Sequence, residues 1–232
     1  MKNLGWLRDV VVIIAVMVVL RSSIVNWYVI PTGSMLPTIK IRDHVLVNKL
    51  SYGLMLPFME TQILSWDTPK RGDIVLFDSP MEHITFVKRV IGVGGDNISF
   101  DNGVLQINNE RVAEQLQEDR TLLEDMGDGS ACNTGEGKSL YVEKFNNSGH
   151  FHYILRSVKG GNTNLETRTW TVPTGKLLVV GDNRDCSNDG RYWGYVDSER
   201  IYGKAVRVFY SINSGDGWLP KFRTDRFFAK LQ

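Results

Sequence analysis

Ser34 sits in IPTGSMLPTI (Ile30–Ile39), between a glycine and a methionine, with Pro31 and Pro37 on either side. That density of proline and glycine suits neither a helix nor a linker, which would be more polar. It restrains the backbone around one hydroxyl, and Gly33 leaves room for a substrate strand to approach. A serine nucleophile needs a base, an oxyanion donor and fixed geometry. The four histidines, His44, His83, His150 and His152, are poor candidates for the base. His44 and His83 open apolar strands, and HFH at His150–His152 reads as a solvated hairpin.

Lys88 is a better candidate. In HITFVKRVIG, period-2 alternation puts Ile84, Phe86, Lys88 and Val90 on one face and Thr85, Val87, Arg89 and Ile91 on the other. A lysine in an apolar row either snorkels at a rim or is desolvated. Desolvation favours the neutral amine that a general base requires, and burial can depress a lysine by up to ~3–5 pKa units. A third stretch, GDNRDCSNDGRYWG (Gly181–Gly194), follows an apolar strand and crowds aspartates, arginines and a serine into one turn. It reads either as a charged hairpin loop or as the organised wall of a site.

The elements that must hold these groups are mostly strands. DHVLVNKL (Asp43–Leu50), GDIVLFDS (Gly72–Ser79), HITFVKRVIGV (His83–Val93), GVLQINN (Gly103–Asn109), FHYILRSV (Phe151–Val158), TRTWTV (Thr167–Val172), KLLVVGD (Lys176–Asp182) and GKAVRVFYSI (Gly203–Ile212) are short and mostly rich in β-branched residues. Only Arg111–Met126 has the character of a helix. The pattern is all-β, with a barrel or sandwich as the closure. Composition shifts near Asp101 and Thr171 and marks 101–169 as an inserted, more polar subdomain containing a loop at Asp125–Ser139. The remaining divisions are an N-terminal anchor at 1–23, a core at 24–100 and 170–215, and a tail at 216–232.

The anchor reading rests on VVVIIAVMVVL (Val10–Leu20). The run is short of the ~20 residues a bilayer requires, but flanking apolar residues extend it, with Arg8 and Arg21 snorkelling. A cleaved signal peptide competes, although large residues stand where a small-x-small cleavage site would be needed. The positive-inside bias weakly places the N-terminus in the cytoplasm and the bulk of the chain outside. The apolar stretch Leu54–Met59 reads as a loop facing either the bilayer or the core. A net charge of +1, from 27 basic and 26 acidic residues, argues against nucleic acid as a partner. The two cysteines, Cys132 and Cys186, permit a disulfide without requiring one. With no CxxC and only four histidines, metal-ligand spacing is poor.

PTGSMLPT, KRVIGVGGD and GDNRDCSNDGRYWG, in this order after an apolar segment, resemble the bacterial type I signal peptidases over about Ser22–Phe209. The resemblance implies a mainly β, signal-peptidase/LexA-like, β-barrel-type catalytic core with an inserted smaller subdomain, preceded by one transmembrane helix. It implies a Ser–Lys endopeptidase that cuts signal peptides from exported preproteins after Ala-x-Ala, with Ser34 as nucleophile and Lys88 as general base. The Ser34 N–H and the Thr32 hydroxyl would form the oxyanion hole, threonine standing where the family more often has serine. Ser187 would orient the lysine, Asp189 and Arg191 would brace the loop, and Asp182 would pair with Arg89. Cys186 and Gly190 replace the commoner asparagine and serine. Ile30, Met35, Ile39, Phe86 and Val87 would line the substrate pockets. The implied partners are preprotein signal peptides, the lipid bilayer and a nearby translocon. The implied location is the cytoplasmic membrane, with a single pass and an extracytoplasmic catalytic domain. No cofactor or metal is implied. Self-cleaving LexA-type repressors, a dedicated pilin-processing or conjugation peptidase, and a non-enzymatic envelope-binding domain are the rival readings.

Overall fold

The computed structural model describes residues 5–55, 62–80, 84–126, 132, 135–145, 151–157, 168–213 and 221–231. Helix α1 (Gly5–Ser23) leads into strands β1 (Val25–Val29), β2 (Asp43–Asn48), β3 (Gly53–Met55), β4 (Gln62–Ser65), β5 (Ile74–Asp78) and β6 (Thr85–Val93). The middle of the chain carries β7 (Asn97–Asp101), β8 (Val104–Ile107), β9 (Glu110–Arg111), β10 (Ala113–Gln117), β11 (Lys138–Lys144) and β12 (Phe151–Ser157). After β13 (Thr169–Thr171) and β14 (Lys176–Val180) come the short helix α2 (Gly190–Trp193), β15 (Val196–Asp197), the long β16 (Ile201–Asn213) and β17 (Lys221–Phe222).

The principal sheet runs β1-β2-β16-β5-β6-β14-β15, with β17 added to β16. Every pairing in it is antiparallel. The path ends at β1 and β15 without joining them, so the expected barrel is not closed. Strand β16 is long enough to pair with both β2 and β5, and its register slips at Ala205/Arg207 and Val208/Tyr210 bend it around the core. Three smaller sheets, β10-β11-β12, β13-β7-β8-β9 and β3-β4, complete the described fold.

Strand β6 is central, flanked by β5 and β14. A central strand packed on both faces reads as a continuous buried run, and Lys88 through Gly92 are all buried. One apolar cluster gathers Ile30, Met35, Ile39, Val45, Val47, Ile74 and Leu76 beneath the Ser34 loop. A second joins Val75, Phe77, Val90 and Val179 on the other side of β5 and β6, with Phe86 packed against it.

Three further expectations are corrected by the structure. Arg111–Met126 is not a helix: β10 pairs with β11 from Ala113↔Lys144 to Gln117↔Leu140, and a single 3-10 turn comes after it at Thr121–Leu123. Cross-strand pairing overrides the helix preference of Ala, Glu, Gln and Leu. The expected transmembrane helix is not supported, since among the described residues no helix is long and apolar enough to cross a membrane. The physical reason lies at the N-terminal end of α1, where Arg8 and Asp9 pair at 3.1 Å. The apolar run beyond that pair, Val10–Leu20, spans only ~16 Å at 1.5 Å per residue. Thirdly, His152 is not solvated but 2% exposed. The stretch Leu54–Met59 lies largely outside the described residues, Asp125–Ser139 lies partly outside them, and His83 and His150 lie wholly outside.

Candidate active site

The Ser34 loop is closed at its base by Ile30 N–H donating to Asp43 O (3.0 Å) and Arg42 N–H to Ile30 O (2.8 Å). Inside it, Leu36 N–H donates to Gly33 O and Ile39 N–H to Met35 O, and the Leu36–Pro37 bond is cis. Met35, Leu36 and Ile39 are at most 1% exposed, so the loop is fastened to the core by its own apolar side chains. Ser34 is left half-buried above them, with Thr32 exposed beside it. Among the described residues, neither the Ser34 N–H nor the Thr32 hydroxyl is engaged in a hydrogen bond. Both are available to an incoming oxygen.

Lys88 approaches from β6, opposite Val75 of β5. Its Nζ donates to Ser34 Oγ at 2.6 Å, across 54 positions of sequence. The side chain is 4% exposed, and the Phe86 ring centroid lies 5.1 Å from Nζ. Burial is the largest influence on this amine and lowers it to about 8; Asp189 and Asp182 pull it back up, and Arg191 pushes it down. An amine so placed loses its proton within the physiological range and can then accept one from a hydroxyl.

Strand β14 delivers the turn that backs this pair. At Gly181 a side chain is impossible, because a Cβ would collide with Ser187 Oγ and with the Ser34 carbonyl oxygen. Asn183, fully buried, grips the Ser34 loop twice: its N–H donates to Ser34 O (3.1 Å) and its Nδ2 to Gly33 O (3.0 Å). Asp182 takes both prongs of Arg89, Nε at 2.8 Å and Nη2 at 2.7 Å, and accepts from Thr38 Oγ1 at 2.5 Å. Burial alone would push the Asp182 carboxyl up, but the Arg89 guanidinium outweighs it and holds the acid below its ordinary range. Asp189 caps α2, receives Arg191 Nε (2.8 Å) and Nη2 (2.9 Å), and accepts the Gly181 N–H at 2.9 Å.

Ser34 with Lys88, Asp182 with Arg89, and Asp189 with Arg191 are therefore brought together. Ser187 is not joined to the lysine: its Oγ is buried and has no hydrogen-bond partner among the described residues. Ile30, Met35, Ile39 and Val87 share one apolar cluster, whereas Phe86 belongs to the neighbouring one. Cys132 and Cys186 form a disulfide, with Cα atoms 5.5 Å apart.

Several residues that shape the site were not singled out from sequence. Asn183 lies inside the Gly181–Gly194 turn, but an asparagine that grips a loop reads like one that faces water. A second buried group stands behind the turn, where Arg184 forms a bidentate pair with Glu143 and His152 Nε2 lies 3.0 Å from Glu143 Oε2. Burial pushes Glu143 up but is outweighed by Arg184 and His152, and the carboxyl stays well below its usual range. Burial, then the charge of Arg89, keeps His152 below its ordinary value. Lys138 Nζ reaches Asn183 Oδ1 (3.0 Å) and Cys132 O (2.6 Å).

Residues 3–210 match the family described as signal peptidase, peptidase S26. The chain is 37% identical over 211 residues to the signal peptidase I of Pseudomonas aeruginosa, covering 86% of this chain and 69% of that protein. It is 32% identical over 233 residues to the signal peptidase I of Buchnera aphidicola subsp. Schizaphis graminum, covering 87% and 73%. A solved signal peptidase I from Enterococcus faecalis aligns with a TM-score of 0.35 at 24% identity, over 60% of this chain and 98% of that one.

Proposed function

Since the chain belongs to the peptidase S26 family of signal peptidases, we propose that it removes signal peptides with Ser34 as nucleophile and Lys88 as general base. The observation that carries this reading is the 2.6 Å contact between a nearly inaccessible lysine amine and a loop serine. With Lys88 at about 8, roughly one molecule in ten holds the neutral amine at pH 7, against about one in 2,500 for an ordinary lysine. The amine takes the Ser34 proton as Oγ attacks the scissile carbonyl. The oxyanion forms opposite the uncommitted Ser34 N–H and Thr32 hydroxyl. The resulting ammonium protonates the departing amine, and a water activated by the same lysine resolves the ester. Asp182–Arg89 and Asp189–Arg191 act by holding the turn that carries Asn183. Ser187 Oγ, buried and without a partner among the described residues, stands with the Ser34 carbonyl against Gly181, and in this reading it orients the lysine during turnover.

The substrate is an extended chain. Strand β14 pairs with β6 only from Arg89 to Val93, so on that edge Thr85–Lys88 have no strand partner among the described residues. A preprotein segment added there would lie alongside Phe86 and Val87 and pass the Ser34 loop. The firm packing of Ile30, Met35 and Ile39 favours small side chains at P1 and P3, the Ala-x-Ala preference. The work is done at the extracytoplasmic face of the cytoplasmic membrane, near the translocon. Supporting this, Trp6, Val11, Ile13, Ile14 and Met17 of α1 are all at least 56% exposed. An apolar groove of about 690 Å³ also opens between α1 and the sheet, with Trp27, Leu46 and Phe209 in its wall. Such a surface suits lipid contact. Residues 101–169 form an inserted subdomain in this reading.

The test is intact mass after incubation with a detergent-solubilised preprotein. Cutting is expected after alanine at P1, and leucine at P1 is expected to slow it by about 10–100-fold, the ~1–3 kcal/mol cost of overpacking a close-fitting pocket. Equal cutting of both substrates, or cutting elsewhere, contradicts the reading.

A further inference from the structure

We propose that the Cys132–Cys186 disulfide is a redox-modification site, opened by a dithiol reductant, whose closure keeps the Ser34 loop in register with Lys88. The inference rests on the Ser34–Lys88 reading and adds a control point to it.

The connection runs through Asn183. This side chain is 0% exposed and all its polar atoms are committed. Nδ2 donates to Gly33 O at 3.0 Å and to Cys132 O at 2.9 Å, while Oδ1 accepts from Lys138 Nζ at 3.0 Å. The Cys132 carbonyl also accepts from Lys138 at 2.6 Å. One carbonyl thus serves both a buried amide and a lysine that is only 3% exposed. The residue that supplies it is itself on the surface, and the disulfide ties it to Cys186 across 54 positions of sequence. Cys186 in turn ends the 3-10 turn that begins at Arg184, and its N–H donates to Asn183 O at 3.0 Å. Covalent closure therefore holds Cys132 O over the residue that grips Gly33 and Ser34.

Opening the bond removes that tether. Asn183 and Lys138 would each be left short of an acceptor in a buried site, and a buried polar group without a partner is costly. The repair open to Asn183 is to turn toward other partners, loosening its hold on Gly33. A displacement of about 1 Å at a reacting group costs on the order of 10²-fold in rate.

The chemistry is ordinary exchange. A thiolate of the reductant attacks Cys132 Sγ, the exposed residue of the pair, forming a mixed disulfide and expelling the Cys186 thiolate. The second thiol of the reductant displaces Cys132 and leaves the reductant as its own disulfide. The reductant supplies two electrons, and the two cysteine thiolates equilibrate with solvent protons.

The experiment uses the full chain in detergent, assayed on a preprotein before and after dithiothreitol, with alkylation and intact mass to count free thiols. Reduction is expected to lower kcat about 10–100-fold with KM changed less than threefold, and reoxidation to restore it. The acid limb of the pH profile should keep its midpoint and lose only height, because the burial of Lys88 is untouched. A Cys132→Ser/Cys186→Ser variant should sit at the reduced level and ignore the reductant. Turnover within twofold of the oxidised enzyme, with both thiols shown to be free, would overturn the proposal. So would a loss of turnover accompanied by loss of near-UV circular dichroism or by a shift of the limb toward higher pH, since these report general loosening. If the oxidised enzyme is itself inert on preproteins, the Ser34–Lys88 reading fails and takes this inference with it.

Discussion

Ser34→Ala and Lys88→Met should each lower kcat/KM for preprotein cleavage by about 10⁴-fold or more, and the double variant should be no worse than either alone. Groups that act as one unit lose their effect together, so the second deletion has nothing left to remove. The lysine variant carries a second expectation, of opposite sign, for stability. Burial lowers Lys88 from 10.5 to about 8, which means that the folded protein binds this proton less tightly than the unfolded chain. At ~1.36 kcal/mol per unit, the folded state below pH 8 carries a penalty on the order of 3 kcal/mol. The penalty fades as pH rises from about 8 toward 10.5, where the folded lysine has released its proton and the unfolded one has not. Methionine fills similar space without charge. Lys88→Met should therefore unfold at higher urea than wild type at pH 7, and the two should converge near pH 10. An inactive variant that is less stable at pH 7 would mean that this lysine is not held against its desolvation.

Asp182→Asn should destabilise the protein by about 3–5 kcal/mol, the usual cost of leaving one member of a buried ion pair alone. Arg89 and Asp182 are each 1% exposed, so water cannot replace the lost carboxylate. The asparagine can still accept from Thr38, but it cannot answer both prongs of the guanidinium. At about 2–4 °C per kcal/mol for a chain of this size, the melting temperature should fall by roughly 10 °C. An Arg89→Met/Asp182→Leu variant should recover much of the loss, because the pair's desolvation cost disappears together with its attraction. If Asp182→Asn melts within 2 °C of wild type, the pair is not holding the turn.

Much of the frame could be read from alternation. DHVLVN and the run from Thr85 to Val93 are seen as strands because β-branched residues repeat between turn signals. Alternation also separated Lys88 from Arg89 by face. It could not show that both faces of β6 are buried, since that depends on β5 and β14 flanking it and on the apolar clusters around it. AEQLQ at Ala113–Gln117 has helix-forming side chains and becomes a strand only because β11 is there to receive it. The grip of Asn183 on Ser34, 149 positions away in sequence, leaves no local trace. Nor do two thiols separated by 54 residues announce their pairing. Ser187 shows the opposite limit, since a motif supplied its role and the fold leaves its hydroxyl without a partner among the described residues.

Lys88 as the base is tested most sharply by the pH dependence of kcat/KM, on a preprotein whose own charges do not change between pH 6 and 10. Free-enzyme groups govern this parameter, and the expected profile has an acid limb with an apparent pKa of about 8, set by the buried Lys88. Activity should rise about tenfold per pH unit below that point and level off above it. A profile flat across the range, or a limb near 6.5 in the ordinary range of histidine, would contradict Lys88 as the base.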